Sequence, residues 1–160
     1  MFRQDAVLLN LTVGGPPFKE YGCKLCSYFF WLEQCKNVCL LPESIIMISK
    51  YLINKRLVTP DMMILEKYEL KVPQELGIPA IGSKREGPYY ECKWNELEIL
   101  WLEKTTSRAT YNHFVPGDGK GNMVWDSLGI RRGRDDYHVA GKRIIILDPE
   151  WCRKNWRSHD

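Results

Sequence analysis

Long apolar runs are missing from this chain. Residues Ala6–Val13 are apolar, but the stretch is brief, broken by Asn10 and preceded by Asp5, so it predicts a strand and excludes a signal core or membrane span. A strong charge bias is missing as well: 23 Lys and Arg face 20 Asp and Glu, and a net charge of +3 is too small to dictate an anionic partner. There is no internal repeat or low-complexity tract. Six cysteines in 160 residues do not make the dense framework of a small secreted scaffold. A reduced, cytoplasmic setting is therefore expected, with the sequon Asn10-Leu11-Thr12 unglycosylated. What remains, at 44% hydrophobic and 27% charged, is the composition of a folded protein. The length suits one domain over residues 1–160, closing a single core between one helix layer and one sheet.

Along the chain, Gly14-Gly15-Pro16-Pro17 is a hard break. From Lys24 to Cys39 the residues Leu25, Phe29, Leu32, Cys35 and Cys39 recur at steps of three or four and predict a helix with a buried stripe. Pro42-Glu43 opens a second helix, whose apolar side carries Ile45, Ile48, Ser49 and Leu52. Val58 to Gly77 reads as a short mixed unit, with Pro60-Asp61 as initiator and Gly77 as stop. After a loop from Gly82 to Pro88 the patterns turn to strands: Glu98–Glu103, Ala109–Val115, Met123–Leu128 and Arg143–Leu147. Helices first and strands afterwards predict an α+β domain with a mostly antiparallel sheet.

Three residues carry chemistry in this order. Cys23 opens the first helix, where Gly22 permits a tight entry. There the helix dipole and the exposed first-turn amides stabilise a thiolate relative to its free pKa of about 8.5. The same amides, that of Cys23 included, can donate to an oxyanion. Downstream, Gly117-Asp118-Gly119-Lys120-Gly121 separates two strand patterns. A turn centred between Gly119 and Lys120 sets His113 directly opposite Asp126, with Cβ atoms roughly 5 Å apart. A carboxylate there orients the imidazole and leaves its other nitrogen for a thiol proton. Trp125 is expected to pack against the opposite side of the sheet, and His138 is a fallback base without a fixed partner.

Other constellations compete less well. Cys23, Cys26, Cys35 and Cys39 offer four thiolates for zinc, but Cys26 and Cys39 would lie roughly 20 Å apart on one helix. A thioredoxin-like dithiol would need a strand where Gly14–Pro17 stands. The glycine-rich turn lacks the Walker spacing and joins strand to strand. Arg131, Arg132 and Arg134, with the Arg153-Lys154-Asn155-Trp156-Arg157 tail, form a basic patch diluted by Asp135, Asp136 and Glu150, so nucleic-acid binding is not expected. Cys26 as nucleophile fits less well than Cys26 as core.

Tyr21-Gly22-Cys23 leading into an apolar helix, then His113-Phe114-Val115 and Asp126, resembles the papain-like cysteine peptidase superfamily, closest to bacterial members related to the bacteriocin-processing peptidases. The resemblance implies a Cys-bearing helix packed on an antiparallel sheet, a Cys23–His113–Asp126 triad, no metal or cofactor, and a peptide or protein substrate. The family usually carries a Gln shortly before the Cys to complete the oxyanion hole. Here that stretch is Pro16-Pro17-Phe18-Lys19-Glu20, with Lys19 as a cationic substitute. The alternative implied by the missing Gln is a catalytically degenerate relative that binds a protein or ligand.

Overall fold

The computed structural model describes residues 22–127 and 136–156. Within them the chain is α+β: four α-helices and a four-stranded antiparallel sheet. Helix α1 (Cys23–Lys36) and α2 (Pro42–Asn54) come first, then a 3-10 turn at Glu66–Tyr68 and a short α3 (Lys71–Leu76). Strands β1 (Ala80–Glu86), β2 (Glu96–Thr105), β3 (Thr110–Gly117) and β4 (His138–Leu147) follow, and α4 (Pro149–Asn155) closes the described chain. The spatial order is β1-β4-β2-β3, so β3 is an edge strand, and α1 packs chiefly on it. Among the described residues no helix is long and apolar enough to cross a membrane.

Local chemistry accounts for the helix limits. Pro42 sits in the first turn of α2, where its missing N–H costs nothing. Gly77 ends α3 at φ +92°, a left-handed cap suited to glycine. Helix α1 stops at Lys36 because Asn37 turns left-handed at φ 51° and its N–H closes on the Glu33 carbonyl. The expected stripe is therefore buried at Leu25, Phe29, Leu32 and Cys35, while Cys39 lies beyond the helix and is exposed. Pro60-Asp61 forms a turn and starts no helix. The core joins this stripe to Ile45 and Leu52 of α2, Val72 of α3, Ile99, Ile145 and Leu147 of the sheet, and Cys152 of α4.

Two strand expectations need correction. The supposed loop from Gly82 to Pro88 is largely strand β1, which pairs Gly82 with Ile146 and Arg85 with Arg143. Its polar sequence fits an edge strand with one side wet, and Gly82 is small where a Cβ would stand 3.2 Å from the Ile146 side chain. Strand β4 likewise starts at His138, ahead of Arg143, and runs through Gly141, where the Trp101 ring lies 3.2 Å from a would-be Cβ. Conversely, Met123–Leu128 is no strand over its described part: beyond the Gly117–Met123 bridge and a Val124 N–H to Pro116 C=O bond of 3.0 Å, the ladder ends.

A buried ion pair organises the face of the sheet beside the turn. Glu98 of β2, 1% exposed, lies 2.5 Å through Oε1 from the Lys142 ammonium of β4, which also donates to the Tyr90 carbonyl at 2.6 Å. The other oxygen of Glu98 accepts the N–H groups of Gly119 (2.9 Å) and Gly121 (3.1 Å). Both glycines have φ near +90°, and Gly117 must lack a side chain because a Cβ would meet Glu98. The glycine-rich turn thus cradles a carboxylate of its own chain. Removing one partner strands the other charge out of water. Lys142→Met is expected to cost about 3–5 kcal/mol in urea unfolding, and adding Glu98→Gln to it should recover part of that loss.

Candidate active site

The first turn of α1 is fastened by charge. Lys24, next to Cys23, lies 2.5 Å from the Glu69 carboxylate, which also receives Arg85 of β1 at 2.8 Å and faces Arg143 of β4 at 3.4 Å. Burial alone would raise the Glu69 pKa, but hydrogen bonds from Arg85 and Lys24 hold it below the usual carboxylate range. The Tyr28 hydroxyl donates to the Glu69 carbonyl at 3.4 Å. One residue thereby ties the helix start to two strands.

Cys23 follows a buried Gly22 whose φ of −85° any residue adopts, so the entry does not need glycine for its backbone angles. The first intrahelical bond runs from the Cys26 N–H to the Gly22 carbonyl at 2.8 Å. The amides of Cys23, Lys24 and Leu25 precede the ladder, as the start of every helix requires. The Cys23 side chain is half-buried and stands beside the His113 ring.

His113 is 9% exposed on β3, opposite Leu102 of β2. Strand alternation puts Phe114 on the other side, beneath the Lys24 ammonium at 5.3 Å. The Nε2 atom of His113 lies 2.9 Å from Oδ1 of Asp126, itself 9% exposed. That leaves Nδ1 as the ring nitrogen for the Cys23 sulfur. Burial by itself would discharge the ring. The hydrogen bonds to Asp126 and Cys23, with the charge of both, outweigh it and push the His113 pKa from 6.5 up to about 9.

The route by which Asp126 reaches His113 differs from the expected hairpin. The turn centres on Lys120, with Asp118 N–H bonded to the Asn122 carbonyl at 2.9 Å and Gly117 bridged to Met123. That register is one residue away from the predicted one and would set Asp126 on the wrong face if pairing continued. Pairing stops instead, and residues 125–127 leave the ribbon to lie antiparallel along α1. Trp125 stacks on Phe30, centroids 5.7 Å apart and planes 16° from parallel, and Ser127 lies beside the Cys26 thiol. Trp125 thus packs on the Cys-bearing helix, not on the far side of the sheet. Cys23, Cys26 and Phe30 share one helical face, so the same strip that carries the nucleophile candidate also docks the segment bearing Asp126.

The remaining candidates are placed as follows. Cys26 is 4% exposed, and burial, then the neighbouring Cys23, push its thiol pKa well up, against the Ser127 hydrogen bond; it is a core thiol. His138 is on the surface, 3.7 Å from Glu103. Trp156 packs edge-on against Trp151, and Arg153 lies over Trp94. Lys19, the proposed oxyanion cation, and Arg131, Arg132, Arg134, Asp135 and Arg157 lie outside the described residues. Among the described residues no three His, Cys, Asp or Glu side chains are grouped to hold a metal ion. Sequence reasoning missed Glu98, Ser127 and Phe30 as supports; an aromatic residue seven positions after Cys23 is the signal that marks the Phe30 strip.

No family, curated protein or solved structure matches the chain.

Because the folded pKa of His113 is above its free value, its contribution to stability is fully present below pH 6.5 and is lost as pH rises through about 9. In Asp126→Asn the imidazole titration followed by NMR should move down by about 1–3 pH units. An unchanged midpoint would show that the carboxylate does not set the charge on the ring.

Proposed function

We propose that the chain is a papain-like thiol hydrolase acting on a peptide or amide bond through Cys23, His113 and Asp126. The observation that carries this reading is one imidazole, at the start of α1, with the Cys23 thiol beside it and its Nε2 bonded to Asp126 at 2.9 Å. No cofactor or metal enters it.

The raised proton affinity of His113 suits it to take the Cys23 proton as the sulfur attacks. The thiolate attacks the acyl carbon, an S–C bond forms, and the carbonyl π pair moves onto oxygen. The Cys23 amide, ahead of the helix ladder, donates to that oxygen. His113 gives its proton to the leaving nitrogen as the C–N bond breaks. It then takes a proton from water, whose oxygen attacks the thioester. The S–C bond breaks, the acid departs, and the thiolate returns. Asp126 keeps the ring oriented throughout.

Supporting the fold assignment are the Cys-bearing helix lying along the His-bearing edge strand and the antiparallel sheet. The chain segment Pro16–Glu20 has no Gln, and this favours a second reading, a binding module that kept the architecture without the chemistry.

Iodoacetamide separates activation from access, because Cys39 is exposed and Cys23 is only half-buried. Near pH 7 Cys23 should alkylate faster than Cys39, and His113→Ala should remove the advantage. Against a peptide library, Cys23→Ala should abolish cleavage and His113→Ala should slow it about 10²–10⁴-fold. Cleavage should decline on the alkaline side as His113 loses its proton near pH 9. Alkylation of Cys23 no faster than of Cys39, with partner capture unchanged in Cys23→Ala, would establish the binding reading instead.

A further inference from the structure

Cys23 and Cys26 occupy one turn of α1, three positions apart. Their Cα atoms are about 5 Å apart by helix geometry, inside the window of roughly 4.4–6.8 Å that a disulfide spans. Cβ atoms at this spacing stand about 5–6 Å apart and must close to about 4 Å. That movement falls on the first helical residue. The Cys23 N–H is outside the ladder, so this residue is held by the helix only through its carbonyl, which accepts the Ser27 hydroxyl at 3.0 Å, whereas Cys26 is also fixed by its own N–H bond to Gly22. The two thiols also differ in access, Cys23 half-buried and Cys26 covered. A small oxidant therefore meets Cys23 first.

We propose that Cys23 and Cys26 form a reversible disulfide on exposure to a peroxide, so that the candidate nucleophile is protected and switched off by its own helix. This rests on the reading that Cys23 is the reactive thiol. The Cys23 thiolate attacks one peroxide oxygen, an S–O bond forms and the O–O bond breaks. The departing oxygen takes the His113 proton, leaving Cys23 as a sulfenic acid. The Cys26 thiol then attacks the Cys23 sulfur, an S–S bond forms, the S–O bond breaks, and water leaves carrying the Cys26 proton. Two thiols are oxidised, one peroxide is reduced, and two waters are released. The Ser127 hydroxyl, beside Cys26, can donate to that sulfur as its proton leaves. The other neighbouring pair, Cys35 and Cys152, is enclosed in the core and has no half-exposed member to start the sequence.

Trypsin cleaves after Lys24, between the two cysteines, which makes the bond readable. After treatment with hydrogen peroxide and blocking of remaining thiols, the wild-type chain should lose two hydrogens. The peptide of residues 20–24 should then be linked to the peptide of residues 25–36 through Cys26, as fragmentation distinguishes from Cys35. Dithiothreitol should restore Cys23 alkylation by iodoacetamide. In Cys26→Ala, dimedone should trap a sulfenic acid at Cys23, and prolonged peroxide should drive it irreversibly to the sulfinic acid. A wild-type chain in which peroxide yields a dimedone adduct or sulfinic acid at Cys23 while Cys26 still alkylates overturns the proposal. If Cys23 alkylates rapidly with iodoacetamide yet forms no bond to Cys26, only the disulfide falls. A Cys23 inert to both reagents removes the hydrolase reading as well.

Discussion

The carboxylate of Glu98 is the constraint on which the rest turns. A charge buried this deeply is tolerated only with full compensation, and Lys142 and the Gly119 and Gly121 amides supply it. The result is a turn whose shape is dictated from the sheet behind it. Because that turn is short and pinned, the chain emerging at Val124 starts from a defined point beside β3. Only then can Trp125 reach Phe30 and Asp126 reach His113. Glycine matters at these positions for two reasons: left-handed φ at Gly119 and Gly121, and the proximity of Glu98 at Gly117.

A second charged centre does for α1 what Glu98 does for the turn. Glu69 holds Lys24 beside Cys23 and is itself held by Arg85, with Arg143 facing it. The start of α1 and the His-bearing strand are therefore registered through β1 and β4, elements that contribute no reacting atom. Three elements converge on the site, each located by a different force. Ion pairing fixes the helix start, backbone pairing fixes His113, and aromatic stacking of Trp125 on Phe30 fixes Asp126. The charge on His113 is the electrostatic outcome: the acid at 2.9 Å and the sulfur overcome the burial that would otherwise neutralise the ring.

Much of the fold was readable along the chain where one force dominates locally. The periodicity of Leu25, Phe29 and Leu32, the Pro42 start and the Gly77 stop all reappear as expected. Strand β1 was not readable, because Gly82-Ser83-Lys84-Arg85 has loop composition and becomes a strand only by pairing with β4. Glu98 was misleading in another way. In Glu96-Leu97-Glu98-Ile99 the acids alternate with apolar residues like a solvated face, yet that face is covered by the loop just before β2 and by the glycine turn. The hairpin offered the clearest case: His113 and Asp126 were paired by a register that the turn does not adopt, and they meet because the ribbon ends early. Two departures from the expected geometry, a shift of one residue and a broken ladder, lead to the same neighbours.

By itself, the sequence determined the class of structure, the position of Cys23 at a helix start, and the residue types able to act as nucleophile, base and orienter. These follow from nearest-neighbour chemistry, which periodicity, proline, glycine and capping express within a few residues. Which of those residues meet was decided by tertiary structure alone. Cys23 and His113 are ninety positions apart, and Asp126 arrives through stacking on a helix that precedes it by about as much. Such contacts depend on burial and on charges compensated across the sheet, quantities that no local pattern contains.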